Sequence, residues 1–143
     1  MSNRNDIQTV VVIGAGIMGR GIAHVSAGGG FKTILNDVSD DLLRLARGRI
    51  EEDLKKGVGL GKVSPGAMSA TLNRLTLETD MTQAVKNADV VIEAVPESIQ
   101  LKLDVFNRLD RACPSHTILA SNTSALSITE MAAVTKRPSQ FIG

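Results

Sequence analysis

Three glycines, Gly14, Gly16 and Gly19, follow the first predicted strand and open a predicted helix. Their spacing is Gly-x-Gly-x-x-Gly, and a position between a strand and a helix is the setting in which this pattern binds dinucleotides. We expect Gly14 to form the tight turn, Gly16 to let the backbone approach a pyrophosphate, and Gly19 to let helix and strand pack closely. The amides of Ile17 and Met18 lie in the first turn of the helix, where free N–H groups and the positive end of the helix dipole attract phosphate. This segment therefore predicts a dinucleotide-binding turn.

Asp37 is the acidic residue that such a site requires. It ends the second predicted strand, 23 residues after Gly14, and the expected spacing is about 20 residues. A carboxylate there accepts hydrogen bonds from the ribose hydroxyls of adenosine and repels a 2′-phosphate, so the pattern predicts NAD rather than NADP. The alternatives are structural: the glycines would serve only close packing, and Asp37 would only cap the helix that starts after Val38-Ser39.

Composition excludes several other classes of partner. Sixteen basic and fifteen acidic residues leave a formal charge of +1, and aromatic residues make up 2% of the chain, with no Trp or Tyr. A basic surface and aromatic stacking platforms are both missing, so we do not expect nucleic acid to bind. The apolar runs are far shorter than the roughly 20 residues that cross a bilayer, and the opening residues do not resemble a secretory signal. With one cysteine, Cys113, no intrachain disulfide can form, and we expect a soluble, cytoplasmic protein with no membrane partner.

Short β-branched runs alternate with longer helical patterns, which is typical of βαβ units on a parallel sheet. The predicted strands cover 9–13, 33–36, 75–77, 90–94 and 117–120, and Phe141-Ile142 begins a sixth. The predicted helices cover 17–27, 40–56, 99–113 and 128–134, and a further short helix starts at Ser64-Pro65 after a break at 57–61. The patterns predict an α/β fold in one domain over residues 1–143: a Rossmann-type, doubly wound, mostly parallel sheet with a helical excursion after strand 2.

Three blocks of the sequence resemble the NAD-binding domain of L-3-hydroxyacyl-CoA dehydrogenases. They are GAGIMGRGIA from Gly14, ADVVIEAVPE from Ala88 followed by Lys102, and ASNTSALSIT from Ala120. The resemblance covers nearly the whole chain, and the glycine turn combined with Ser-Asn-Thr-Ser is much more specific than the turn alone. The cofactor contacts that it implies are the glycine turn, Asp37, Glu97 and Lys102 after the fourth strand, and Ser124 after the fifth.

The spacing of these side chains predicts which of them are free. Glu97 and Lys102 are five residues apart, and a mutual pair on a helix surface favours i, i+4. We therefore expect each to be free to contact a ligand, with two solvated charges at a helix start as the alternative. Ser127, in Ser-Ile-Thr-Glu before an apolar stretch, has the pattern of a capping box. Ser124 lies before that cap, and the resemblance implies that its hydroxyl lies beside the nicotinamide and the reacting carbon of the substrate.

The resemblance implies oxidation of an L-3-hydroxyacyl-CoA to the 3-ketoacyl-CoA, or the reverse reaction, in fatty acid β-oxidation. Ser124 is then the catalytic residue within this chain. The CoA contacts fall on the helical excursion, where Lys62 is the candidate and Lys55 and Lys56 lie nearby in the sequence. Two alternatives stay open: an NAD-dependent dehydrogenase of free 3-hydroxy acids, and a noncatalytic dinucleotide-binding module. No metal site is predicted.

The resemblance also implies what lies beyond this chain. In the family a histidine that acts as general base follows the run Phe-Ile-Gly, and here that run ends at Gly143. We expect the helical C-terminal domain, with its substrate cleft and dimer contacts, to be absent as well. The chain's own histidines, His24 in the first helix and His116 before a strand, are expected to be structural or solvent-facing. The complete enzyme is thus expected to be a homodimer, and the isolated chain to have negligible turnover.

Overall fold

The computed structural model describes residues 6–143 as six strands of one parallel sheet joined by helices. The strands are β1 (Thr9–Ile13), β2 (Lys32–Asn36), β3 (Leu75–Glu78), β4 (Val90–Glu93), β5 (Ile118–Ser121) and β6 (Phe141–Ile142). The helices are α1 (Ile17–Gly28), α2 (Asp40–Gly59), α3 (Pro65–Arg74), α4 (Met81–Val85), α5 (Ile99–Ala112) and α6 (Ile128–Ala133), with a short 3-10 helix at Pro138–Gln140. The sheet order is β3-β2-β1-β4-β5-β6. The predicted Rossmann-type α/β fold is confirmed.

The strand order reverses at β1, and this reversal decides where a ligand can bind. The chain builds β2 and β3 on one side of β1, then returns to build β4, β5 and β6 on the other side. Ile13 pairs with both Asn36 and Glu93, and Glu93 pairs with Ser121. The residues that follow these four therefore emerge along one line, which we call the carboxyl edge. Open parallel sheets bind ligands in the crevice at this edge where the strand order reverses.

Two apolar layers cover the two faces of the sheet. Successive residues of a strand point to opposite faces, so Val11 packs with Phe106 and Leu119 in the layer beneath α4, α5 and α6. Val12 packs with Leu35 in the other layer, beneath α1, α2 and α3. All five residues of β1 are buried. Burial on both faces explains why β1 is a continuous apolar run without alternation.

Helix α2 is longer than predicted. It continues to Gly59, so the predicted break at 57–61 is wrong over its first three residues. Gly57 serves close packing, because a Cβ there would lie 2.8 Å from Cγ2 of Val63 on the returning chain. The turn itself falls at Gly61, whose φ of +70° glycine adopts without strain. The helix predicted after Ser64-Pro65 is confirmed as α3, with Ser64 as its N-cap.

The sequence patterns do not predict α4. Its N-cap is Asp80, whose Oδ1 accepts a hydrogen bond of 3.3 Å from the amide of Gln83. A helix of five residues is too short to show a period of 3.6, and burial of Ala84 and Val85 fixes it instead.

Over residues 6–143, no helix has both the length and the apolar character needed to span a membrane.

Candidate functional site

The turn after β1 contains two glycines that the fold itself requires. Gly14 has a φ of +104°, and a Cβ on it would lie 2.6 Å from the carbonyl oxygen of Ala94, just after β4. A Cβ on Gly19 would lie 1.7 Å from the carbonyl oxygen of Gly14, far inside van der Waals contact. Gly14 therefore forms the turn and Gly19 lets α1 pack against it, as the spacing predicts.

Gly16 differs from these two, because its surroundings do not require a glycine. Its backbone, with φ −71° and ψ −168°, is open to any residue. Apart from its two chain neighbours, no described residue has a heavy atom within 4 Å of the place where a Cβ would stand. Among residues 6–143 no side chain caps α1, so the amides of Ile17 and Met18 have no side-chain acceptor in this part of the chain. The side chains of these two residues are exposed. The open space in front of the helix fits a pyrophosphate bound by backbone amides.

The carboxylate of Asp37 is held against this turn. Its Oδ2 accepts a hydrogen bond of 3.0 Å from the amide of Ala15, and its Oδ1 accepts one of 3.0 Å from the amide of Ser39. The N-cap of α2 is Ser39, whose Oγ accepts from the amide of Leu42 at 3.1 Å. The alternative in which Asp37 caps the helix is therefore wrong. Each carboxylate oxygen of Asp37 has one partner among the described residues, which leaves a further acceptor position on each for a ligand hydroxyl.

Glu93 and Lys102 form an ion pair in the interior beside the carboxyl edge. Both side chains are fully buried, and Lys102 Nζ lies 2.5 Å from Glu93 Oε2. The same ammonium donates to the carbonyl oxygen of Val95 at 3.1 Å and lies 3.1 Å from Glu97 Oε1. An ammonium has three donors, so all the donors of Lys102 are in use.

The expectation that Glu97 and Lys102 do not pair is wrong. The i, i+4 rule applies to one helix surface, and Glu97 lies before α5, which begins at Ile99. The side chain of Glu97 is half-exposed, whereas that of Lys102 is buried. Hydrogen bonds from Thr123 and from Lys102 lower the pKa of the Glu97 carboxyl. Of the two, Glu97 presents an ionised oxygen to solvent and Lys102 lies behind it.

The turn that carries Ser124 is tied to Glu97. Thr123 Oγ1 donates to Glu97 Oε2 at 2.8 Å. The same oxygen accepts hydrogen bonds from the amides of Ala125 and Leu126, at 3.3 and 3.0 Å. Thr123 therefore fixes the backbone on both sides of Ser124 and connects it to the segment after β4.

Ser127 has the structural role that the sequence predicts. Its Oγ accepts a hydrogen bond of 3.1 Å from the amide of Glu130 and caps α6. Ser124, in contrast, is exposed, and its hydroxyl takes part in none of the side-chain hydrogen bonds of residues 6–143. Of these two serines, Ser124 is the one whose hydroxyl is available to a ligand.

Lys62 is not brought to the carboxyl edge. Helix α2 begins beside that edge at Asp40 and runs without a break for 20 residues, a length of roughly 30 Å at about 1.5 Å per residue. Lys62 follows the far end, where its amide donates to the carbonyl oxygen of Gly57 at 2.9 Å, and it is exposed. A substrate contact by Lys62 would therefore have to involve a part of the substrate remote from Ser124.

The positions of the two histidines agree with the structural or solvent-facing role that is expected of them. His116 precedes β5 at the opposite edge, where its Nε2 lies 2.8 Å from Asp89 Oδ1. Asp89 Oδ2 accepts from the amides of Gln8 and Thr9, each at 2.9 Å. Burial alone would raise the pKa of Asp89, but these amides and His116 outweigh burial and hold the pKa below its ordinary value. His24 is partly buried within α1.

Cys113 is a packing thiol. It lies in the core at the end of α5, and burial raises its pKa to about 11. A thiol of this kind is not a nucleophile near neutral pH. In the described part of the chain, no group of three His, Cys, Asp or Glu side chains is placed to hold a metal ion.

Glu93 and Ser121 belong to the carboxyl edge but are not among the predicted site residues. Ser121 Oγ donates to Glu93 Oε1 at 2.6 Å and joins the ends of β4 and β5. The sequence contains a signal for this pair, because Glu93 interrupts an apolar run that is predicted to be covered on both faces. A charge in that position must find a partner, and Lys102 on the next helix supplies it.

Comparison with known proteins identifies one family. The family model for the NAD binding domain of 3-hydroxyacyl-CoA dehydrogenase matches residues 9–143. A Bacillus subtilis protein named "Probable 3-hydroxybutyryl-CoA dehydrogenase" is 41% identical over 138 residues, which cover 96% of this chain and 48% of that protein. The mitochondrial hydroxyacyl-coenzyme A dehydrogenase of Rattus norvegicus is 41% identical over 142 residues, or 96% of this chain and 45% of that protein. The chain thus spans less than half the length of these relatives.

Solved structures give the same result. The crystal structure of 3-hydroxybutyryl-CoA dehydrogenase from Escherichia coli superposes with a TM-score of 0.92 at 40% identity, over 95% of this chain and 29% of that chain. The (S)-3-hydroxybutyryl-CoA dehydrogenase from Ralstonia eutropha superposes with a TM-score of 0.91 at 34% identity, over 95% of this chain and 48% of that chain. Fold and sequence similarity therefore agree.

Proposed function

The chain belongs to the family of NAD-binding domains of 3-hydroxyacyl-CoA dehydrogenases, and from this premise we propose that it supplies the NAD site of an enzyme that interconverts L-3-hydroxyacyl-CoA and 3-ketoacyl-CoA. The substrate class is a proposal, because the chain spans less than half of relatives whose names specify hydroxybutyryl-CoA or hydroxyacyl-CoA. A role in fatty acid β-oxidation is part of the same proposal.

The observation that carries the proposal is the contact between Asp37 and the glycine turn. The bond from the Ala15 amide to Asp37 places an acceptor for ribose hydroxyls directly beside the place for phosphate. Gly16 supports the same assignment, since packing of the described residues does not require the open space beside it. We call this space the cradle for pyrophosphate. Dinucleotide sites of this fold combine these two features at the reversal of strand order.

Different residues of the site bind different parts of NAD. The amides at the start of α1 receive the pyrophosphate, and Asp37 receives the adenosine ribose. Glu97 contacts the nicotinamide end through its exposed carboxylate, with Lys102 behind it. When bound, NAD supplies the acceptor for the hydride that leaves the substrate carbon.

Ser124 is the residue of this chain that we assign to the reacting centre. Its exposed hydroxyl donates a hydrogen bond to the substrate oxygen at the carbon that loses hydride. Such a bond accelerates the reaction when it strengthens as charge develops on that oxygen. Ser124 thus orients the substrate and stabilises the transition state, while a separate base removes the hydroxyl proton.

That base does not come from the two histidines of this chain. His116 is bonded to Asp89 at the opposite edge of the sheet, and His24 is partly buried in α1. We therefore propose that the isolated chain binds NAD(H) but has negligible turnover, because loss of a general base costs on the order of 10²- to 10⁴-fold in rate.

Reduction of acetoacetyl-CoA by NADH, measured with the complete protein, tests the proposed reaction. We expect acetoacetyl-CoA to be reduced with a kcat/KM far above that for free acetoacetate. Preference for the free acid would instead identify a dehydrogenase of free 3-hydroxy acids. Binding of NADH without turnover of either compound would identify a noncatalytic dinucleotide-binding module.

The predicted homodimer and the predicted cytoplasmic location belong to this proposal as well. Sedimentation of the complete protein tests the first, and fractionation of the cells that produce it tests the second. A monomeric complete enzyme, or one recovered outside the cytoplasm, would overturn the corresponding part.

A further inference from the structure

Glu93 is a buried charge at the junction of β4, α5 and β5, and the reaction described above does not use it directly. Its carboxylate receives hydrogen bonds from the Ser121 hydroxyl at 2.6 Å and from the amide of Val95 at 2.7 Å. Its third partner is the Lys102 ammonium at 2.5 Å. The carbonyl oxygen of Glu93 also accepts from the amide of Asn122 at 2.9 Å. A single residue thus holds the segments that leave β4 and β5.

A continuous series of contacts runs from Glu93 to Ser124. Lys102 connects the buried Glu93 with the half-exposed Glu97. Glu97 accepts from Thr123, which fixes the turn around Ser124. Each step is a direct contact of 3.3 Å or less. The two groups assigned to the nicotinamide end, Glu97 and Ser124, therefore depend on the same buried anchor.

Stability alone does not explain this arrangement. Two well-packed apolar side chains in place of a buried ion pair are often as stable or more stable. The pair lies at the carboxyl edge, where strand order reverses, and Lys102 also contacts the half-exposed Glu97, which follows β4 at that edge. Fully satisfied buried polar networks fix one geometry, which is what a site for an oriented nicotinamide ring needs.

We propose that Glu93 is a positioning residue for the nicotinamide half of the cofactor site, acting through Lys102 on Glu97 and on the Ser124 turn. This inference rests on the proposed NAD site and names a residue that determines its geometry. Glu93 itself is fully buried and has no surface exposed to a cofactor or substrate. Its loss should therefore affect ligands that carry nicotinamide and spare those that carry only the adenosine half.

The test compares the binding of NADH and ADP-ribose by the wild-type chain and its variants, with NADH fluorescence as a second readout of the nicotinamide environment. For Glu93→Gln we expect NADH affinity to fall by about tenfold or more, as for other lost charge-assisted hydrogen bonds. ADP-ribose affinity should stay within about twofold, since the glycine turn and Asp37 are intact. The rise in NADH fluorescence on binding should diminish.

A second variant separates positioning from stability, because Glu93→Gln leaves the Lys102 charge in the interior and can unfold the chain. The double substitution Glu93→Met with Lys102→Met removes both charges and should restore the thermal midpoint, without restoring NADH affinity. Thr123→Val breaks the outer end of the network at the surface and should also weaken NADH selectively. A folded double variant with wild-type NADH affinity would overturn the proposal, as would equal losses for both ligands.

Asp110→Asn serves as the matched control. It removes the charge of another largely buried ion pair, with Arg137 Nε 2.8 Å from Asp110 Oδ1 at the opposite edge. We expect it to lower stability and leave both affinities unchanged. If the wild-type chain bound neither NADH nor ADP-ribose, the proposed function would be wrong, and so would this inference, which rests on it. If the wild-type chain binds both and the Glu93 variants bind them equally well, this inference alone is wrong.

Discussion

The carboxylate of Asp37 accepts a hydrogen bond of 3.0 Å from the amide of Ala15, which lies between the first two glycines of the turn after β1. The bond joins the end of β2 to the phosphate-binding turn. With its second oxygen held by the Ser39 amide, the side chain is ordered before a ligand arrives. Preorganisation of this kind reduces the entropy that binding would otherwise cost.

Replacement of Asp37 tests this arrangement. Asp37→Ala should weaken NADH binding by roughly 10- to 100-fold, the equivalent of about 1.5 to 3 kcal/mol for hydrogen bonds to a charged group. NADPH binding should change little, because the carboxylate that repels its 2′-phosphate is gone. Titration calorimetry with both cofactors measures the ratio of the Kd for NADPH to the Kd for NADH. Asp41→Ala, in the exposed first turn of α2, removes the same charge nearby and should leave the ratio unchanged.

The three glycines of the turn should respond differently to alanine. Gly14→Ala and Gly19→Ala introduce a Cβ 2.6 Å and 1.7 Å from backbone carbonyl oxygens, so both should lose several kcal/mol of stability or fail to fold. Gly16→Ala should fold normally and lose NADH affinity, because its Cβ fills the cradle for pyrophosphate. Gly48→Ala in α2, where a Cβ would meet no other described part of the fold within 4 Å, should gain up to about 1 kcal/mol of stability. Normal NADH binding by Gly16→Ala would contradict the assignment of the cradle.

Stability should depend on the protonation of Asp89. Its folded pKa lies below the ordinary value because the amides of Thr9 and Gln8 and His116 outweigh burial. The carboxylate therefore stabilises the fold at neutral pH, and this contribution is lost as pH falls through the lowered pKa. Asp89→Asn should lower the free energy of unfolding by on the order of 1 kcal/mol at pH 7. The difference in this free energy between variant and wild type, measured by urea unfolding, should shrink below about pH 3.9. His116→Gln keeps both amide bonds and should cost less. A difference in free energy of unfolding between Asp89→Asn and wild type that stayed constant down to pH 2 would contradict this role of Asp89.

Ser124 should matter for rate more than for cofactor affinity. In the complete enzyme, Ser124→Ala should lower kcat by roughly 10²-fold, as expected for loss of a donor to an oxygen whose charge changes in the transition state. The Kd for NADH should remain within about threefold, because a transition-state contact contributes little to ground-state binding. Ser127→Ala is a useful comparison, since Ser127 only caps α6 and should affect stability by about 1 kcal/mol. An unchanged kcat for Ser124→Ala would reduce Ser124 to a loop residue.

Much of the fold follows from local sequence patterns. The continuous apolar run of β1 indicates burial on both faces, and the strand-turn-helix setting of the glycines indicates the nucleotide fold. Local patterns fail where a distant contact decides the outcome. Glycine at position 57 favours a break, yet α2 continues through it, and Val63 packs where a side chain would otherwise stand. α4 has no period to detect, and buried side chains fix it.

The candidate site shows the same division. Asp37 and the glycine turn are local features with a known spacing, and the structure brings them into contact. The pairing of Lys102 with Glu93 and Glu97 depends on how α5 folds back onto the ends of β4 and β5. Spacing along the chain does not contain that information. The charge of Glu93 inside an apolar strand is the one local sign of it.

Calorimetric titration of the chain of residues 1–143 with NADH and with NADPH tests the central claim most directly. We expect one NADH per chain, bound at least about tenfold more tightly than NADPH, because Asp37 accepts the ribose hydroxyls and repels a 2′-phosphate. Equal or tighter binding of NADPH, or no binding of either cofactor by the folded chain, would contradict it.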